Sequence, residues 1–235
     1  AMRDFARQLL LEGHRVHYLA IDDPAKRQSL PANLDALIAH YSASAFEYQA
    51  PDEWRLDRQL ADYAKQLAIP RRMVDSEHFY SHRNEASQLF AERKQWLMEH
   101  FYRQMRIRHG VLMAGPGKPL GGQWNFDHDN RKPWPGLPRE PADWRSEHDH
   151  SVLWQSIQQA GVASFGEPSA AHFRWPLNRA EALQQLDDFV DEALPHFGDF
   201  QDALTARAWR LFHSLLSFAL NTKMLNPREV VAKAA

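Results

Sequence analysis

Apolar residues recur at helical spacing along much of the 235-residue chain, and the places where that spacing fails mark its organisation. Phe5, Leu9 and Leu10 share one face of a helix that Gly13 stops. Arg15 to Ile21 alternates instead, with Val16, Tyr18 and Ala20 on one side, and predicts a strand ended by Asp22-Asp23-Pro24. Leu34, Leu37, Ile38 and Tyr41 predict a second helix, and Ala45 to Tyr48 a short strand. Leu56, Leu60, Tyr63, Ala64 and Leu67 predict a third helix, started at Pro51-Asp52, with a further strand over Arg72 to Asp75. This β–α–β–α–β rhythm predicts a parallel sheet covered by helices. Such a sheet ordinarily has one more central strand, which is expected upstream of Ala1.

The pattern then changes twice. Residues 83–113 read as helical, with Leu89, Phe90, Trp96, Leu97, Phe101 and Met105 supplying apolar stripes among several arginines. Residues 114–150 carry so many glycines and prolines, from Gly115-Pro116-Gly117 to Pro141, that regular structure is not expected. Irregular segments of this length are uncommon and tend to serve function or linkage. Residues 151–160 read as a short helix. Leu183, Leu186, Val190, Ala193, Leu194 and Phe197 trace an amphipathic helix whose other face is acidic, and 208–222 reads as a nearly all-apolar buried helix. Pro227 suits the first turn of a last helix.

Composition narrows the chemistry. The chain has no cysteine, which excludes disulfides, thiolate zinc sites, a cysteine nucleophile and any iron–sulfur cluster held by this chain alone. A net charge of −2 announces no nucleic-acid partner but leaves room for a local basic face. No apolar run approaches a membrane span and no signal peptide is evident, so no membrane association and a cytoplasmic location are expected. The chain opens in mid-helix at Ala1-Met2-Arg3 and stops in a helical pattern at Ala235, which gives the expectation of a piece of a longer protein.

Phe212-His213-Ser214-Leu215-Leu216-Ser217-Phe218 is the sharpest candidate site. A helix start there would offer free amides, and two serines three apart could add hydroxyls for a phosphate. Ser214 as an ordinary helix cap is the commoner reading of the pattern alone. Arg131-Lys132, with Arg103 and Arg106 on the preceding helix, could follow a phosphate backbone, against the plainer reading of a solvated basic face. Trp124 and Phe126 read as anchors for their loop more readily than as stacking platforms for a base. His78 and His82 stand at metal-ligand spacing, and His148 and His150 bracket Asp149. Neither pair brings a clear third ligand, so no metal site is predicted. No nucleophile stands with an orienting base, and no catalytic residue is assigned.

Several longer motifs follow in order. They are Ala1-Met2-Arg3-Asp4-Phe5-Ala6 with Arg15-Val16-His17-Tyr18, Pro51-Asp52-Glu53-Trp54-Arg55, and Met98-Glu99-His100-Phe101-Tyr102-Arg103-Gln104-Met105-Arg106. Then come Gly121-Gly122-Gln123-Trp124-Asn125-Phe126-Asp127 with Asn130-Arg131, Phe197-Gly198-Asp199-Phe200-Gln201-Asp202, and His213-Ser214-Leu215-Leu216-Ser217-Phe218-Ala219-Leu220-Asn221. Together they resemble the prokaryotic photolyase/cryptochrome group that contains the bacterial 6-4 photolyases and their iron–sulfur relatives, the deoxyribodipyrimidine photolyase-related proteins.

The resemblance implies a truncated photolyase/cryptochrome architecture: an α/β N-terminal part, an incomplete Rossmann-like parallel sheet with helices, followed by a mainly α-helical part. It implies a partial antenna domain over 1–78, connecting helices and a long interdomain loop over 79–150, and the start of a helical FAD-binding domain over 151–235. It implies a parent enzyme, a lyase, that uses FAD and blue light to repair 6-4 photoproducts in damaged DNA, and that is monomeric at full length. His213, Ser214, Leu215, Leu216 and Ser217 match the family's segment around the FAD phosphates, with Asn221 beside them. Arg131 matches the DNA-facing loop, with Lys132 and Arg106 behind it. A 4Fe-4S cluster and a lumazine antenna are implied for the parent with ligands outside this chain, so the fragment itself is expected to be inactive. A cryptochrome-like photoreceptor and a non-catalytic binding module are the alternatives.

Overall fold

A computed structural model describes residues 1–235. In order the elements are α1 (Met2–Leu11), α2 (Leu30–Tyr41), β1 (Phe46–Gln49), α3 (Trp54–Gln66), β2 (Arg71–Val74), α4 (Glu85–Leu89), α5 (Met98–His109), β3 (Met113–Gly115), β4 (Lys118–Pro119), α6 (Ser151–Gln159), α7 (Arg179–Asp188), a π-helical turn (Phe189–Ala193), α8 (Leu194–Phe200), α9 (Ser217–Asn221) and α10 (Pro227–Ala234). No helix is long and apolar enough to cross a membrane. Two units form, one from Ala6–Glu77 with His148–Phe173 and the other from Ala1–Phe5, His78–Glu147 and Arg174–Ala235.

In the unit built on Ala6–Glu77, β1 and β2 pair in parallel, in register from Phe46 opposite Arg71 to Gln49 opposite Val74. α3 makes the crossover. Its apolar stripe buries Tyr63 and Ala64, with the Tyr63 ring edge-on to Phe46 at 5.8 Å and its hydroxyl donating to Asp35 Oδ1 of α2 at 2.8 Å. The cap of α3 is Glu53, whose carboxylate accepts from the Leu56 amide at 2.8 Å, one residue past the predicted Pro51-Asp52 start. The strand predicted over Arg15 to Ile21 does not form. Alternation makes a segment able to be a strand, but only a neighbouring ladder makes it one. The segment is instead held to α2 through His17 Nδ1 and the Tyr41 hydroxyl, 3.0 Å apart.

The second unit holds the larger core. Leu186, Phe212 and Leu225 are fully buried at its centre, with Phe189, Phe200, Leu211 and Leu216 around them. The amphipathic helix predicted over 183–197 is present, but it widens into the π turn before α8. Pro195 explains the widening, since it has no amide to donate back into the preceding turn. The helical stretch predicted over 83–113 consists of two helices, α4 and α5. Phe90 and Trp96 stack at 5.7 Å, a contact that residues six apart on one helix could not make, and the chain breaks between them. Residues 114–150 are irregular beyond the β3–β4 hairpin, as predicted.

The buried helix predicted over 208–222 is the largest departure. Only Ser217–Asn221 is helical, and Leu211 and Leu215 sit in the left-handed region at φ 50° and 56°. Two left-handed, non-glycine residues cost energy that packing must offset. They turn the chain so that Leu211, Phe212 and Leu216 all enter the core.

Candidate functional site

The turn before α9 is fixed from outside itself. Gln185 of α7 is 4% exposed, and its side-chain amide donates to the carbonyls of Ser214 at 3.2 Å and Leu215 at 3.0 Å. Ser214 Oγ accepts from the Leu216 amide at 3.4 Å. His213 and Ser217 are left exposed, while Leu216 is buried. Ser214 precedes the helix, so of the two serines only Ser217 lies on it. Asn221 is exposed at the last position of α9, one turn after Ser217. His213 is braced by Phe197, ring edge to face at 5.5 Å.

Arg131 and Lys132 lie against the end of α8 and the residues after it. The Lys132 amide donates to the Asp199 carbonyl at 3.2 Å, and the Asp202 amide to the Asn130 carbonyl at 3.1 Å. The Lys132 ammonium bonds Asp199 Oδ1 at 2.7 Å, which raises its pKa. Arg131 Nε is 3.6 Å from Asp202, and its side chain is 75% exposed. Both cations are thus on the surface, each beside an acid of the Gly198-Asp199-Phe200-Gln201-Asp202 motif.

Arg106 is a correction to the sequence reading, which put it on the basic face. It is 8% exposed. Its Nε donates to the Val111 carbonyl at 3.1 Å, Nη1 to the Tyr102 hydroxyl at 3.0 Å and Nη2 to the Leu112 carbonyl at 2.6 Å. A guanidinium whose three nitrogens all donate internally holds the end of α5 to the loop after it and does not reach a phosphate. It also stands 5.4 Å from the centroid of Trp124, as does Arg103, which is ion-paired with Glu99. Trp124 is an anchor, as its sequence context implied.

Sequence reasoning passed over a second constellation. Asp143 accepts from Arg145 at 2.8 and 2.9 Å and from Arg174 at 2.6 Å. Arg145, foremost, holds the Asp143 carboxyl well below the usual carboxylate range. The Arg145 guanidinium lies between Trp175 and Trp209, 5.1 and 4.8 Å from their centroids. Arg210 stacks on Trp144 at 3.8 Å and donates to the carbonyls of Pro141 and Ala142 at 2.8 and 2.7 Å. Burial pushes its pKa down. The signal was the Trp-Arg pair, present at Trp144-Arg145 and again at Trp209-Arg210. These groups knit the Pro-rich segment to the turn before α9 through cation–π and carbonyl contacts.

Residues 1–175 match the family described as deoxyribodipyrimidine photo-lyase-related protein. A curated relative, the (6-4) photolyase of Agrobacterium fabrum, is 34% identical over 238 residues, covering 100% of this chain and 46% of that protein. The chain spans slightly less than half the length of this relative. The turn at 211–217 lies beyond the family match and within the stretch shared with the relative.

Proposed function

The chain belongs to the deoxyribodipyrimidine photo-lyase-related family, and on that premise we propose that it is part of a flavin-dependent, blue-light-driven enzyme that repairs 6-4 photoproducts in DNA. In this reading its share of the site is the phosphate end of the FAD pocket and part of the DNA-facing surface. The chemistry supplied by bound, reduced FAD is light-driven donation of an electron to the lesion.

The observation that carries the proposal is the turn before α9. Buried Gln185 takes both carbonyls of Ser214 and Leu215, so their oxygens are occupied inward and the exposed side is left to hydroxyls and amides. That donor set suits a phosphate. The Ser217 hydroxyl would hold a phosphate oxygen, with the first-turn amides of α9, which have no intrahelical acceptor, beside it. Ser214 shapes the turn through the Leu216 amide and keeps its own O–H to donate. His213 is exposed with its ring fixed by Phe197. Asn221 reaches the same side as Ser217. Arg131 turns from Asp202 to the DNA backbone, and Lys132 supplies charge beside it.

The test is a titration of FAD, and separately of ADP as its phosphate-bearing half, into the chain. Both ligands are expected to bind, and Ser217→Ala is expected to weaken each about ten- to a hundredfold, the loss of one hydrogen bond to a charged group. Failure of either ligand to bind, or identical binding by the variant, overturns the assignment of this turn.

A further inference from the structure

We propose that the groove between α5 and the Gly121–Asp127 loop is a stacking site for an unpaired nucleobase of DNA, an inference that rests on DNA being the partner. The groove has a volume of about 540 Å³, and Tyr102, Arg106, Trp124, Asn125, Phe126 and Asp127 are among its walls. That is the size of a small-ligand site.

Phe126 is the platform. It is 50% exposed on the groove wall, and Tyr102 is 44% exposed on the same groove. The loop is shaped around the Phe126 ring, because a Cβ at Gly121 would lie 3.1 Å from its Cζ, and Gly121 itself has φ +77°. Glycine therefore lets the tip of the ring approach the backbone closely while half of the residue stays exposed. Trp124, by contrast, is held by the two guanidiniums already described and braces the floor. Half-exposed aromatic faces in a groove beside cations are the means by which proteins hold single bases.

The polar groups favour a base over other flat or apolar guests. Asn125 and Asp127 are both exposed on the groove, offering a donor and acceptors that match base edges. Asn125 reaches Glu99 only at 3.4 Å, a weak bond that a ligand can replace. The Asp127 carboxylate disfavours a phosphate inside the groove, so the sugar–phosphate chain stays outside it. There the loop supplies the matching charge. The Asp129 amide closes a turn on the Phe126 carbonyl at 2.9 Å, and two residues later comes Arg131, three-quarters exposed.

The experiment uses duplexes carrying 2-aminopurine either in a one-base bulge or fully paired, followed by fluorescence quenching and anisotropy. Wild-type protein is expected to quench the bulged base and bind that duplex more tightly than the paired one. Phe126→Ala and Phe126→Leu are both expected to weaken bulge binding about tenfold while leaving the paired duplex unchanged, since leucine keeps apolar bulk but no ring. Gly121→Ala, which displaces the ring without removing it, is expected to act in the same direction. Equal binding of the bulge by wild type and both Phe126 variants, with duplex binding intact, overturns the groove and spares DNA as partner. Absence of binding to any duplex overturns both. Equal quenching of free 2-aminopurine riboside and of the bulge assigns the groove to a soluble ring compound and overturns the proposal.

Discussion

Lys132 is joined to Asp199 twice, its amide donating to the Asp199 carbonyl at 3.2 Å and its ammonium to the carboxylate at 2.7 Å. Arg131 stands next to it with Asp202 at 3.6 Å. Both cations thus face acids from the end of α8 and the residues after it, and a phosphate backbone must compete with those acids. Exposed pairs of this kind are weak and exchange readily. Asp202→Asn and Asp199→Asn are therefore expected to strengthen DNA binding and steepen its salt dependence. Arg131→Ala is expected to make the slope of log K against log salt shallower by about one. Anisotropy titrations over a salt series measure both. A slope unmoved by Arg131→Ala removes that residue from the DNA surface.

Arg106 gives the contrasting expectation. Its three nitrogens donate to two carbonyls and a tyrosine hydroxyl, and lysine cannot reproduce that fork. Arg106→Lys is expected to cost about 2–3 kcal/mol in denaturant unfolding, the scale of lost hydrogen bonds to a buried charge. The salt slope of DNA binding is expected to stay the same. A stable variant with a shallower slope would return Arg106 to the DNA surface.

The contrast between these residues shows what the sequence carries. Helices α2 and α3 were legible from Leu34, Leu37, Ile38 and Tyr41, and from Leu56, Leu60, Tyr63 and Ala64, because a helical face is a local pattern. Gly13 and Pro227 were legible for the same reason, and both stand where a helix ends or begins. Arg106 was not legible, since its helix position is that of a surface cation and only the loop at 111–124 buries it. The turn at 211–217 was hidden for a related reason. Its left-handed Leu211 and Leu215 look like helix formers, and part of what holds them is an amide from Gln185, about thirty residues earlier. The Arg15–Ile21 segment failed in the opposite sense, with a strand's pattern but no ladder to join. The candidate phosphate segment was found through motif resemblance, and its shape came only from contacts far apart in sequence.

Asp143 carries the charge balance of the Pro-rich segment. It is the acid shared by Arg145 and Arg174, with 21% of its side chain exposed against 10% for Arg145. Asp143→Asn leaves a nearly buried guanidinium without its partner and is expected to cost about 3 kcal/mol at neutral pH. The carboxyl is held below its ordinary value, so its contribution is present above that value and is lost as pH falls through the lowered one. The stability gap between wild type and variant is therefore expected to narrow in acid. A gap that stays constant from neutral pH down to the acid limit of folding would show that Asp143 acts through shape alone.

Tyr63 sets the opposite limit. Burial, then its bond to Asp35, pushes its pKa up to about 12. Folding thus favours the neutral phenol. That contribution is whole below the ordinary tyrosine value of about 10 and is lost as pH rises through about 12. Tyr63→Phe is expected to cost about 1 kcal/mol at neutral pH, the worth of the bond to Asp35, and to lose less stability than wild type between those two pH values. Denaturant unfolding at intervals from pH 8 to 12 compares them. Parallel alkaline losses in the two proteins would mean that Tyr63 does not titrate with unfolding.

Gln185 offers the sharpest separation of shape from chemistry, because its side-chain amide donates to two carbonyls of the turn. Gln185→Leu is close in volume but leaves both acceptors without a donor, an expected loss of about 2 kcal/mol. Gln185→Glu keeps the length and replaces the donating amide with a carboxylate aimed at carbonyl oxygens. Repulsion is added to the lost bonds, so it is expected to be the worse of the two. Neither variant alters Ser217, yet both release the turn that presents it, so ADP binding is expected to fall alongside stability and in the same order. Ser217→Ala, on an exposed side chain, is expected to weaken ADP while leaving unfolding unchanged. If Gln185→Glu unfolds more easily but binds ADP as tightly as wild type, the left-handed turn is a packing device and the phosphate lies elsewhere.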